Sequence, residues 1–421
     1  MLSGVFMSEI ESIVAKGMCM SCGACSAAGY KLRPSKKTGM IYPVSTKKSN
    51  EEMALNVCPG KGYDIECLTE ETKNGVRHTS FELGRYLSIG AVRSSDPVLL
   101  ANASSGGVMT AFSKFLLDTG VVSGIISTRM DYSSPEGPRP EPFIATNAKE
   151  LMQGQGSKYC PVPLLTIGEK VNNFGGKLAL IGTPCQIAGL KLLQQEGVAW
   201  AAKIILTMGN FCGGFRDYRE TDRLIARSGF TPEDVVDFRY RGSGQPGFMS
   251  IKSDDGRLHR HAYPKYARAT GIIKNFRCKT CVDATAELAD FSFGDAWLKR
   301  FLETHKPWSI FITRNKSVLC HWEKFLLRSD IERKNITETE IIRSQYDNIS
   351  TKKYRQECRK KLYSFVGVDV PNFGNYTGLK TGLILFELRV IVSQFFFVVL
   401  EKLGLYVWFA RLFNRYPKDF K

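Results

Sequence analysis

Near the start of this chain a cysteine stands at every third position, in Cys19-Met20-Ser21-Cys22-Gly23-Ala24-Cys25. Few folds accept such a run. Thiols this closely spaced, with a glycine and small side chains between them, turn tightly around something. A loop of this kind folds its thiolates onto one cubic iron–sulfur cluster, and a fourth sulfur completes the cage. Cys58, followed at once by Pro59, is the candidate for that corner. The alternative is a zinc knuckle, but zinc sites usually pair two C-x-x-C units and no second pair lies near this run.

In bacterial ferredoxins the cluster run is C-x2-C-x2-C-x3-C-P, and its last cysteine serves the other cluster. Here Gly29 stands where that cysteine would be, so the N-terminus is similar to half a ferredoxin. Residues 1–80 are polar and lysine-rich, as suits a small domain held together by its cluster. Within them Gly39 to Val44 reads as a short strand, and Cys67 as an ordinary small hydrophobe. The chain has 421 residues, enough for two or three domains, and twelve cysteines. Met1 to Lys16 carries Glu9 and Glu11 and no apolar run, so no secretory signal is expected. A reducing, cytoplasmic setting is then expected, where clustered cysteines mean metal rather than disulfides. The net charge of +17 favours an acidic partner, an anionic cofactor, a membrane surface or nucleic acid. No helix-turn-helix, finger or ribonucleoprotein motif supports the last.

From about Leu87 the pattern changes. Asn102-Ala103-Ser104-Ser105-Gly106-Gly107 leads into a helical repeat, Val108 to Leu117, and small residues feeding a helix N-terminus can cradle an anion. A plain serine cap with a Gly-Gly turn is the alternative. Val121 to Ser127 reads as a buried strand, and Asp131 to Pro142, with four prolines, as an exposed loop. Lys158, in Gly154-Gln155-Gly156-Ser157-Lys158-Tyr159, can reach a phosphate or a flavin ring, or simply be solvated. Apolar runs at Lys177–Ile181 and Ile204–Met208 end in Gly182-Thr183-Pro184-Cys185 and Gly209-Asn210-Phe211-Cys212, each run a strand. Strand, glycine-rich turn and helix in repeating order predict a parallel α/β sheet, with Cys185 and Cys212 on its carboxyl edge. Arg239 and Arg241 beside glycines can grip a phosphate or carboxylate, or form a charged loop face. Met249 to Tyr263 predicts a hairpin with His259 and His261 facing solvent.

Cys278-Lys279-Thr280-Cys281 adds two thiols. With Cys185 and Cys212 they make a second candidate cluster; a zinc clip or unligated thiols are the alternatives. Cys160, Cys320 and Cys358 lack ligand spacing and read as structural. Leu383 to Leu400 is apolar but holds Glu387, Arg389 and Gln394, and Glu401, Lys402, Arg411 and Arg415 come after it. That fits an amphipathic pair of helices, lying on an anionic membrane surface or closing a core, better than a spanning segment.

Taken in order, Cys19-x-x-Cys22-Gly23-x-Cys25, Ser104-Ser105-Gly106-Gly107, Gly154-x-Gly156-Ser157-Lys158-Tyr159, Gly182-Thr183-Pro184-Cys185-Gln186, Phe211-Cys212, Cys278-x-x-Cys281 and Gly294-Asp295-x-Trp297 resemble the coenzyme F420 hydrogenase/dehydrogenase beta-subunit family. The resemblance runs from about residue 15 to about residue 300. It implies FAD and one or two [4Fe-4S] clusters, passing electrons to a reducible substrate or deazaflavin coenzyme. Many bacterial members accompany surface-polysaccharide genes. It implies that Ser105, Gly106 and Gly107, with Asn102 and Ser104 beside them, contact the FAD phosphates or ribityl chain. Lys158, Thr183 and Asp295 would lie near the flavin, with Lys158 and Asp295 as the catalytic pair. Cys19, Cys22, Cys25, Cys58, Cys185, Cys212, Cys278 and Cys281 would hold metal. A nicotinamide fingerprint is missing, so electrons would come from an acidic protein such as ferredoxin. The expected fold is mixed α+β and α/β. A ferredoxin-like cluster domain spans 1–85, an α/β FAD-binding core 86–310, and a helical, amphipathic region 311–421. The competing readings are a non-enzymatic electron-transfer subunit and a zinc-bearing scaffold without flavin.

Overall fold

A computed structural model describes residues 8–69, 77–263, 266, 274–304, 306–374, 383–403 and 405. In the N-terminal part the Glu9–Ala15 helix precedes a 3-10 turn, Ala24–Ala28, and a hairpin of β1 (Lys31–Ser35) and β2 (Met40–Val44). Ser8 and Glu11 form a capping box that starts the first helix. The strand expected before Cys58 is β2. After it comes the Glu51–Asn56 helix, started by the Asn50 side chain.

β3 (His78–Ser80) and β4 (Gly84–Tyr86) pair with each other. The main sheet uses β5 (Ser88–Ser94), β6 (Gly124–Asp131), β7 (Arg139–Ala145), β8 (Leu178–Gly182) and β9 (Ile204–Asn210). A separate antiparallel sheet is built from β10 (Val235–Gly242), β11 (Phe248–Ser253) and β12 (Leu258–Ala262). The last strands, β13 (Phe291–Asp295), β14 (Ser309–Thr313) and β15 (Ile331–Lys334), return to the main sheet. Its order is β15-β5-β14-β13-β9-β8-β6-β7.

The central sheet is therefore mixed, not parallel throughout. β13, β9, β8 and β6 run parallel, while β14, β5, β15 and β7 are antiparallel to their neighbours. The parallel strands are the near-continuous apolar runs, as burial on both faces requires. In β8 the two-residue period assigns faces. Leu178 and Leu180 pack with Ile187, Leu190 and Leu193 of the Pro184–Gln195 helix. Ala179 faces Phe112 and Leu116 of the Val108–Asp118 helix.

Three expectations change. The strand read at Val121 begins at Gly124. The predicted loop over Asp131 to Pro142 is shorter, because Pro140 and Pro142 lie in β7, opposite Met130 and Thr128. β7 ends the sheet, and an edge strand can spare the proline N–H. His261 is buried, at 4% exposure, rather than facing solvent; its ring meets His259 edge-on. Cys67 and Cys320 are exposed, whereas Cys160 and Cys358 are buried. β15 and Trp322, in the stretch expected to be helical, join the main sheet and its core.

The Ile384–Lys402 helix is the last long element. Its Glu387 is fully buried and paired with Arg355 and Arg359. No helix among the described residues is long and apolar enough to cross a membrane. The second helix expected beyond it, with Arg411 and Arg415, lies outside the described residues.

Candidate functional site

β8, β9 and β13 run parallel and end together, and residues at or just past their ends line one cavity of about 460 Å³. Thr183 and Cys185 come after β8, Phe211 and Cys212 after β9, and Asp295 closes β13. Cys278, Cys281, Lys158 and the start of the Val108–Asp118 helix complete the wall. This is the carboxyl edge of the parallel strands, where open α/β sheets bind ligands.

None of the twelve cysteines is bridged to another. Eight gather in two groups. Cys19, Cys22, Cys25 and Cys58 stand close enough to oppose one another's ionisation. Burial first, and then these neighbours, push Cys19 up to about 12 and Cys22 well above the ordinary thiol range. In the second group burial and Cys212 push Cys185 up to about 12 and Cys278 up to about 11. Cys281 is a neighbour of both. Four buried and half-buried thiols this close together cannot all ionise without a positive centre to hold them.

Local backbone explains the first group. Ser21 and Gly23 both adopt left-handed conformations, at φ of 57° and 91°. The Ser21 hydroxyl donates to the Ile41 carbonyl at 2.7 Å, tying the loop to β2. A Cβ on Gly23 would meet the Thr166 nitrogen at 2.9 Å, so only glycine lets the loop sit on the core. Gly60 likewise leaves room for the Cys58 sulfur, 3.1 Å from its ideal Cβ. The two groups adjoin, because Cys22 and Cys185 also oppose each other's ionisation. Arg277 lies between them, fully buried, donating to the Pro59 carbonyl at 2.9 Å.

Among the described residues no three His, Cys, Asp or Glu side chains are placed to share a single metal ion. A cubane spreads its thiolates over separate irons and takes a wider cage than one tetrahedral zinc.

The anion cradle is only partly as expected. Ser104, Ser105 and Gly107 line the cavity, and Gly106 and Asn102 do not. Gly106 is buried, and a Cβ there would strike Ser309 and Val92 backbone at 2.8 Å. Close packing against β14 and β5 explains that glycine. Ser105 donates to the Trp308 carbonyl at 2.7 Å, pinning the loop to β14, and Asn102 accepts from Arg239. The helix N-terminus itself stays uncapped: Gly107 supplies no side-chain bond, and Val108, Met109 and Thr110 face the cavity. Thr183 and Gln186, by contrast, cap their own helix with a reciprocal box.

Lys158 donates to the carbonyls of Gly154 and Gln155 at 2.6 and 3.2 Å. Burial holds its amine down to about 7. Asp295 pairs with Arg241 at 2.6 Å. The Arg241 guanidinium in turn lies over the rings of Tyr263 and Trp297, at 4.6 and 4.9 Å. Arg241 was legible only as one of two candidate anion-gripping arginines. Lys352 gave no signal at all, yet it lines the same cavity from the C-terminal part.

Two family models of the coenzyme F420 hydrogenase/dehydrogenase beta subunit match, that of its N-terminal part over residues 89–168 and that of its C terminus over 175–339. The coenzyme F420 hydrogenase subunit beta of Methanothermobacter thermautotrophicus is 30% identical over 56% of this chain and 79% of its own length. The chain belongs to the coenzyme F420 hydrogenase/dehydrogenase beta-subunit family. The coenzyme F420-dependent sulfite reductase of Methanocaldococcus jannaschii, another relative, is 27% identical over 68% of this chain and 43% of its own. In fold the chain is similar to one in the F420-reducing [NiFe] hydrogenase complex from Methanosarcina barkeri. That likeness has a TM-score of 0.55 and 21% identity, over 72% of this chain and 98% of the other. The family is one of oxidoreductases. The matched ranges contain Cys185, Cys212, Cys278, Cys281, Lys158 and Asp295, whereas Cys19 to Cys58 and Lys352 fall outside them.

Proposed function

We propose that this chain is an iron–sulfur flavoprotein oxidoreductase. It would take electrons from an acidic carrier such as ferredoxin, through two [4Fe-4S] clusters and FAD, to a reducible substrate or deazaflavin coenzyme. The observation that carries this reading is the convergence of two groups of four thiols, one buried and three half-buried in each, the second opening into the cavity of the β8, β9 and β13 edge. The donor set fits: each group offers four sulfurs and no carboxylate, which suits a cluster. A flavin nucleotide fits as well. The bare amides at Val108 to Thr110 offer its phosphates a helix N-terminus.

When bound, the clusters would supply single-electron steps, and the flavin would gather two electrons for a hydride. The chain's own residues bind and orient. Cys19, Cys22, Cys25 and Cys58 would hold the entry cluster, and Cys185, Cys212, Cys278 and Cys281 the one beside the cavity. Lys158, with an amine near neutrality, is suited to hold or release a proton at Nζ. Arg241 fixes Asp295 as a charged acceptor at the cavity wall. The exposed apolar stripe of the last helix would rest on an anionic membrane surface.

Anaerobic purification tests this reading. A brown protein with about eight irons per chain, releasing FAD on denaturation, supports it. A colourless protein containing zinc sinks it. Substrate reduction without any partner subunit separates an enzyme from an electron-transfer subunit.

A further inference from the structure

Two adjacent lysines are buried in the π-helical turn Ser350–Tyr354. Lys353 is neutralised by Glu287. Lys352, at 3% exposure, has no ion-pair partner within salt-bridge distance among the described residues: its Nζ donates to the Asp283 carbonyl at 2.6 Å and to the Cys281 sulfur at 3.5 Å. A buried ammonium without a paired anion is costly, so the sulfurs it faces, with the nearby Asp283 carboxyl, have to supply counter-charge. It interacts favourably with Cys281, Cys212 and Cys278 together, more than with Asp283. The turn is aimed by its neighbours: Ser344 and Gln345 bond the Asp295 carbonyl at 3.2 and 2.6 Å, on the wall of the same cavity.

We propose that Lys352 sets the reduction potential of the cluster held by Cys185, Cys212, Cys278 and Cys281. The proposal rests on the cluster reading above. Four thiolates leave a [4Fe-4S] centre with net negative charge, and one added electron deepens it. A fixed positive charge at a ligating sulfur therefore favours the reduced form and raises the potential, as net charge and hydrogen bonds to sulfur do generally. The effect is to bias electrons shared by the two adjacent clusters toward the one beside the flavin cavity. The group comes from beyond residue 339, where the family match ends.

The test is an EPR-monitored potentiometric titration of the full chain, purified anaerobically, with Lys352→Met, Lys352→Gln and Lys352→Arg beside the wild type. Gln can keep a bond to the Asp283 carbonyl without the charge. The neutral variants should lower one midpoint by at least about tenfold in the reduction equilibrium, or 59 mV for one electron. The other cluster's midpoint should stay put, as should that of the Arg variant. Loss of the second cluster in the neutral variants alone overturns the proposal, since the charge then serves assembly rather than potential. Two unmoved midpoints with iron content retained overturn it, as does loss of that cluster in all three variants, which would mark a requirement for shape. Wild-type protein with no second cluster instead overturns the cluster reading itself.

Discussion

Cys58 and Cys278 are the residues at which the two thiol groups can be told apart. Each belongs to only one group and is held by its own loop, so Cys58→Ser and Cys278→Ser should each remove about half of the iron and acid-labile sulfide. Unchanged iron in either variant removes that residue from its cage. Lys158 makes a different prediction. Its amine titrates at about 7 when folded, against an ordinary 10.5, because burial penalises the charge. Between those values the unfolded chain holds more protons, so folding stability rises with pH through the window; below it both states are protonated and the penalty is constant. The stability of the wild type minus that of Lys158→Met should therefore climb between about pH 7 and pH 10 in urea unfolding, while a flat difference would mean a solvated amine. The cysteine run was readable because its three-residue spacing is local. Arg241 was readable as an anion-gripping arginine but its partner Asp295, 54 positions away, was not, and Lys352, 71 positions from Cys281, gave no signal. Gly106 was readable as special, but for packing on β14 and β5 rather than for a phosphate.

Helices and buried strands were legible as elements because their apolar periods are set locally: Val108–Asp118 and β9 begin within a residue of expectation. Edges were not. Proline usually ends a strand, yet β7 carries two prolines at a sheet margin whose position only the strand order reveals. The Ile384–Lys402 helix shows both sides of this limit. Its charges suggested an amphipathic element, and Glu387 turns out to face inward to Arg355 and Arg359. Outside, beside the exposed Arg389 and Ser393, it presents apolar side chains: Leu385 is 79% exposed, Val392 58% and Phe395 71%, with Leu403 just past its end at 65%. These positions fall on one stripe at helical spacing. Arg411, Arg415, Lys418 and Lys421 come next in sequence, so apolar burial and attraction to anionic lipid would act together. The full chain should float with vesicles containing phosphatidylserine, less so with neutral ones, and Leu385→Asp with Phe395→Asp should abolish flotation. Flotation unaffected by those changes would remove the helix from the contact, and wild type that stays at the bottom removes the membrane reading.

At the scale of the whole molecule, one sheet edge brings together thiols spread from Cys185 to Cys281, a lysine from the C-terminal part and the uncapped start of a helix. Sequence order hides this, because the antiparallel β5, β14 and β15 lie on one side of the parallel strands and β7 on the other. Charge, in contrast, is a property of the whole chain and needs no fold to be read. At +17 the molecule would draw an acidic carrier toward it over distances longer than any contact. That attraction acts through solvent and is screened over about 10 Å at 0.1 M salt and about 3 Å at 1 M. If an acidic ferredoxin delivers the electrons, its second-order rate of reducing the chain should fall about tenfold or more between low and high salt. Reduction by an uncharged mediator should hardly change over the same range, because steering is absent while the clusters are the same. Stopped-flow absorbance of the iron–sulfur band measures both. Equal salt dependence for the two donors would mean that salt acts on the protein and not on the encounter, and the basic surface would then have no part in recognising the donor.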